Sequence, residues 1–76
     1  MIINEMFVSS DMFLSLPLSA QVLYFHMAAR ANSEGYLLNP LAICRMVGAS
    51  EEDYNLLLEH KVIEEPEGFY GIDIKV

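Results

Sequence analysis

The feature that most constrains this chain is a change of period after His60-Lys61. Upstream of it, apolar residues fall at helical spacing between legible start and stop signals. Downstream, Tyr70, Ile72, Ile74 and Val76 alternate with Phe69, Gly71, Asp73 and Lys75, the two-residue repeat of a half-buried strand. Val62-Ile63 opens this extended region, and Glu65-Pro66-Glu67-Gly68 reads as the turn between two strands, with proline at its second position. Two short helices precede the hairpin. Asn39 is read as an N-cap and Pro40 as the first helical residue, where a missing N–H costs nothing. That helix runs from Leu41 to Val47, directs Ile43, Met46 and Val47 to the core, and stops at Gly48. Ser50 opens the next helix, Asp53 stands at capping-box spacing, and Leu56, Leu57 and Leu58 supply the apolar face.

Further upstream, Ser9-Ser10-Asp11 caps a short turn through Met12, Phe13 and Leu14 that ends before Pro17. Ser19 is expected to cap a longer helix from Ala20 to Ala31. Its apolar members Val22, Leu23, Phe25, Met27 and Ala29 are as dense as in a central helix buried on more than one side. Asn32-Ser33-Glu34-Gly35 closes it, with Asn32 or Gly35 as the left-handed residue, and Tyr36–Leu38 reads as a brief strand. Helix, strand, two helices joined by Gly48-Ala49-Ser50, then a hairpin describe an α+β winged helix. This is a helix-turn-helix with a C-terminal β-hairpin wing, and Tyr36–Leu38 completes a small three-stranded sheet. One domain, 1–76, accounts for the chain.

The run from Ser10 to Ile63 also resembles a known family. Ser10-Asp11, Phe13-Leu14, Leu16-Pro17-Leu18-Ser19-Ala20-Gln21 and Leu23-Tyr24-Phe25-His26 are similar to the N-terminal domain of phage replisome-organiser proteins, relatives of the DnaD-type replication-initiation proteins. Arg30-Ala31, Gly35, Asn39-Pro40, Ile43, Arg45-Met46-Val47-Gly48-Ala49-Ser50, Asp53 and Leu56-Leu57 extend the resemblance. It implies a winged-helix domain at the front of a longer protein. It also implies a role in self-association or contact with other replication proteins, much of the DNA binding falling to a separate C-terminal domain. The chain departs from the family in its third helix. Relatives carry lysines there, and this one presents Glu51, Glu52, Asp53, Asn55 and Glu59.

Charge sharpens the point. Four Lys+Arg stand against eleven Asp+Glu, a formal net charge of −7. Affinity for nucleic acid rests on basic residues that displace counterions, and a recognition helix puts its first turn among phosphates. Carboxylates there oppose DNA. Only if Arg45, Lys61 and Lys75 cluster beside the wing do they become phosphate contacts, and then for weak, salt-sensitive binding. The three function classes that follow are a non-enzymatic replication accessory domain, a direct DNA-binding regulator, and an acidic decoy for a host nucleic-acid-binding site.

At 54% hydrophobic, the chain has more apolar content than a domain of this size readily hides, so some of it is expected to face a partner or a second copy. Candidates are Met6, Phe7, Met12 and Phe13 near the N-terminus, and Phe69 and Tyr70 near the wing tip. The remaining methionines, Met1, Met27 and Met46, read as gap-fillers. Cys44 beside Ile43 reads as a small core residue. His26 reads as half-buried with one hydrogen bond, and His60 suits the end of a helix dipole. No catalytic constellation, cofactor loop or metal-spaced cluster appears, so neither enzyme nor cofactor is expected. A lone cysteine and the absence of a long apolar run or a basic leader point to the cytoplasm, away from membranes.

Overall fold

The computed structural model describes residues 3–67 and 71–75. Within them the chain folds as α1 (Glu5–Val8), α2 (Asp11–Leu14), α3 (Leu18–Arg30), β1 (Tyr36–Leu38), α4 (Pro40–Met46), α5 (Glu51–Glu59), β2 (Ile63–Glu64) and β3 (Gly71–Ile74). It is a small α+β domain, in which the three strands form one antiparallel sheet in the order β1-β3-β2.

The N-terminal segment forms two consecutive single-turn helices. Asn4 Oδ1 accepts from Phe7 N at the start of α1, and Ser10 Oγ accepts from Phe13 N at the start of α2. The sequence reading found the second turn and missed the first. These turns fold Phe7 and Phe13 inward against Tyr24, with ring centroids 5.2–5.6 Å apart and tilted or edge-on, a favoured aromatic geometry.

The long helix differs from expectation at its start. It begins at Leu18, with Pro17 in the N-cap position and no side-chain cap. Ser19 is not the cap, because its hydroxyl donates to Asp53 Oδ1 of α5 at 2.7 Å. Gln21 fastens the approach to the helix instead, its Nε2 donating to the Leu16 carbonyl at 2.8 Å. At the other end Ala31 is extended, and the left-handed Gly35 (φ 82°) serves the turn into β1, not the helix cap.

Asn39 also departs from its expected role. It precedes Pro40 as read, yet its φ of 55° is left-handed and its side chain makes no cap bond. The chain must reverse sharply from β1 into α4, and Asn tolerates that conformation better than other side-chain-bearing residues. The start of α5 matches its expectation: Ser50 and Asp53 form a reciprocal capping box.

Helices α4 and α5 end alike. Gly48 N donates to Arg45 O and Ala49 N to Cys44 O; Lys61 N donates to Leu58 O and Val62 N to Leu57 O. Both are Schellman motifs, in which the residue after the cap is left-handed and usually glycine. Gly48 has φ +78°. At the corresponding position after α5 stands Lys61, with φ 59°. Lys61→Gly is therefore expected to stabilise the domain by about 0.5–1 kcal/mol, read as a higher urea midpoint at unchanged m-value; a lower midpoint would contradict the motif.

The core gathers Phe13, Leu23, Tyr24, Met27, Leu37, Tyr54, Leu57, Val62, Ile63, Ile72 and Ile74. In β3, Ile72 and Ile74 face inward and Asp73 outward, as the alternation requires. The outer edge of β1 is partly closed by one residue. Asn32 Oδ1 accepts from Tyr36 N and Asn32 N donates to Tyr36 O, each at 2.9 Å, so Tyr36 offers no backbone group to a foreign strand.

Candidate functional site

The structure separates the residues that sequence reasoning grouped. Met6 is 85% exposed and Met12 half-buried, so these two remain at the surface to different degrees. Phe13 is 1% exposed and belongs to the core, and Phe7 packs on it half-buried; neither forms a free contact surface. Helix α1 supplies the cover, placing Phe7 against Phe13. Phe69 and Tyr70 lie outside the described residues.

The three cations do not converge. Lys61 and Lys75 share an open groove, but Glu64 and Asp73 line it with them. Arg45 lines a different groove with Tyr54 and Glu65. Lys75 Nζ also sits 5.5 Å from the Phe7 ring centroid, a cation–π contact that ties the last strand to the first helix. A phosphate approaching any of these cations would meet a carboxylate in the same groove.

One surface is strongly acidic, and a second carries paired carboxylates beside lysines. The exposed side of α5 carries Glu51, Glu52, Asn55 and Glu59. On the sheet, Glu64 and Asp73 stand directly opposite each other across β2 and β3, both exposed. Like charges at such paired positions repel, and Lys61 and Lys75, which line the same groove, offset that repulsion.

A third surface is apolar, and the sequence reading placed it in the core. Helix α3 buries Ala20, Leu23, Tyr24, Met27 and Ala28. Its other side presents Leu18 at 78%, Val22 at 49% and Phe25 at 36% exposure, with Ala29 also exposed. These residues follow the 4-3-4 spacing of a helix seam, and Val22, Phe25, His26 and Ala29 line one groove. Both stripes of α3 are apolar at helical spacing, and only packing tells which is inside. The overlooked signal was charge: α3 contains no carboxylate in a chain with eleven. Met46, expected in the core, is instead 67% exposed, because Pro40 and Cys44 fill the inner side of α4.

The histidine and the thiol are structurally engaged. Arg30 Nη1 donates to the His26 carbonyl at 2.9 Å and lies 3.3 Å from His26 Nδ1, so that nitrogen is the acceptor. Cys44 is buried, with Sγ 3.4 Å from the Ala49 and Ser50 carbonyls across the α4–α5 turn. Burial, then the nearby Asp53 and Glu51 carboxylates, push its thiol above the ordinary range, the opposite of an activated nucleophile. Among the described residues no group of three His, Cys, Asp or Glu side chains is placed to hold a metal ion, and no helix is long and apolar enough to cross a membrane.

Tyr54 donates to Glu65 Oε2 at 3.1 Å and Tyr24 to the Lys75 carbonyl at 2.7 Å. Burial raises both phenols, and the Glu65 carboxylate raises Tyr54 further. Each favours the neutral form in the folded state. Their contribution to stability is thus complete below the usual phenol value of 10 and is lost as pH climbs through the folded-state values. In an alkaline ultraviolet titration, Tyr24 and Tyr54 are expected to ionise above the usual phenol value of 10; ionisation of both at that value in the folded domain would contradict this.

Compared with known proteins, the chain matches no family model, no curated protein and no solved structure.

Proposed function

We propose that this chain is a non-enzymatic winged-helix domain of the replisome-organiser type, of phage or prophage origin, that acts in DNA replication through protein–protein contact and self-association. The reading is supported by the order of elements, two short helices α4 and α5 joined across Val47–Ser50 and followed by the antiparallel pair β2 and β3. One observation carries the functional part. The exposed side of α5, with which a winged helix reads DNA, carries carboxylates, and Lys61 and Lys75 beside the sheet share their groove with Glu64 and Asp73. A domain that read bases in the major groove would hold its first helical turn in the phosphate field, where Glu51 and Glu52 are repelled. The replication setting rests on the sequence resemblance, and protein contact on the charge and the exposed apolar stripe of α3.

The acidic side of α5 also favours a second reading, in which it imitates nucleic acid and occupies a basic site on a host protein. The two readings differ in the face they use. Titrating the domain into labelled single- and double-stranded DNA while following fluorescence anisotropy tests their common premise. No saturable binding is expected at low or physiological salt. Saturable binding that weakens steeply with salt would instead show a direct DNA-binding regulator, with Arg45, Lys61 and Lys75 the residues to neutralise.

A further inference from the structure

We infer that the exposed stripe of α3 pairs with the same stripe of a second copy, antiparallel, about a two-fold axis crossing the middle of the helix. The inference rests on the reading that the domain works through protein contacts, and it names the surface and its occupant.

The spacing of the stripe is self-complementary. Leu18, Val22, Phe25 and Ala29 are separated by four, three and four residues, a series that reads the same in both directions. A two-fold axis midway along it sets Leu18 against Ala29 of the second copy and Val22 against Phe25. An isologous interface demands this kind of match, since one patch must fit itself. Size agrees as well, because the most exposed large residue meets the smallest. The pairing is that of an antiparallel helix seam, in which the two kinds of seam position face each other.

Charge selects a second copy as the occupant. Two molecules with net charge −7 repel on most of their surface. Helix α3 carries no carboxylate, and its last turn carries Arg30. The antiparallel arrangement opposes the two helix dipoles favourably. It also brings Arg30 toward the start of α3 in the second copy. The Ser19–Asp53 hydrogen bond holds the first turn of α5 beside that start, with Glu51 and Glu52 exposed on it. Leu14, whose carbonyl accepts from Gln21 Nε2, adds an exposed apolar side chain next to Leu18.

Extent sets the strength. A stable interface covers about 800 Å² per partner, roughly a sixth of this domain's 4970 Å² surface. The stripe is one face of a single 13-residue helix, so the dimer is expected to be a weak one that forms at high local concentration.

Sedimentation equilibrium from micromolar to millimolar loading tests it. The mass is expected to rise from the 8.6 kDa of a monomer toward twice that value. Val22→Glu should weaken association roughly a hundredfold, because the symmetry buries the carboxylate twice, while circular dichroism and the melting curve stay unchanged. A monomer at every concentration, or a dimer indifferent to Val22→Glu, would overturn the inference. Orientation is read without relying on that variant. Leu18→Cys and Ala29→Cys proteins, mixed under glutathione disulfide, should cross-link with each other and not with themselves. Self-linked species alone would exclude the antiparallel pair. Cys44, buried and weakly acidic, stays out of the exchange. Failure here removes the self-association part of the proposed function and leaves contact with other proteins standing, since that part fails on the separate finding of DNA binding.

Discussion

Gly71→Ala is expected to destabilise the domain by about 3 kcal/mol, a large share of what a chain this short has at roughly 0.05–0.15 kcal/mol per residue. A Cβ at Gly71 would collide with the backbone carbonyl of Leu37 and lie 2.9 Å from the Tyr36 ring. The Tyr36 side chain lies across this position, and its hydroxyl accepts from Gly71 N at 3.0 Å. The added methyl has no flexible neighbour to displace. Either β1 separates from β3 or the strand pair opens, exposing Leu37 and Ile72. Gly48→Ala is the internal comparison. There the added atom meets nothing within 4 Å and the cost is the positive φ alone, about 1 kcal/mol. Urea unfolding should place Gly71→Ala well below Gly48→Ala. Equal midpoints would mean that close approach does not set the requirement for glycine in β3.

Asp53→Ala is expected to cost about 3 kcal/mol, combining a lost helix cap with a lost charge-assisted hydrogen bond. The Asp53 carboxylate is one of few buried polar groups, at 6% exposure, and it accepts from both Ser50 N and Ser19 Oγ. It thereby begins α5 and fastens that helix to α3, against which α5 packs. Ser19→Ala removes only the second role and should cost about 1 kcal/mol. In a double-mutant cycle the two losses should fall short of additive by at least about 0.5 kcal/mol. Strict additivity would show that Ser19 and Asp53 act independently.

These residues also show what the sequence discloses. Signals that act through local backbone chemistry were legible. Asp53 stands at capping-box spacing from Ser50, Gly48 ends α4, and the alternation in β3 places Ile72 and Ile74 inside. The second role of Asp53 was not legible, because Ser19 lies 34 residues away and looks locally like a cap for its own helix. Gly71 reads as one more member of an alternating strand until Tyr36 is laid over it. Phe7 and Phe13 were misplaced because a four-residue helix, α1, carries too little periodicity to announce the cover it provides. The exposed stripe of α3 was misread for the opposite reason: so many apolar residues lie on that helix that periodicity accommodates either side as the core. Where α3 sits against α5 and the sheet decides the matter, and that is a tertiary fact.

Carboxylates along α5 were read directly from Glu51, Glu52 and Glu59, and the structure leaves all three exposed. The conditional cluster of Arg45, Lys61 and Lys75 does not form: two share a groove with Glu64 and Asp73, and the third lies in another. What sequence reading lacked was the register of β2 against β3, which pairs Glu64 with Asp73 and sets both carboxylates in the groove of Lys61 and Lys75.

The most direct test of the central claim is a residue-resolved map of which face makes contact. Amide nitrogen–proton correlation spectra of the labelled domain would be recorded on dilution and concentration, then with duplex DNA at physiological salt. The expected result is concentration-dependent shifts along the exposed side of α3, centred on Val22 and Phe25, and no shifts in α5 or β3 with DNA. Shifts at Glu51, Glu52 and Asn55 on adding DNA, with α3 silent at every concentration, would contradict the proposal that this domain acts through protein contact.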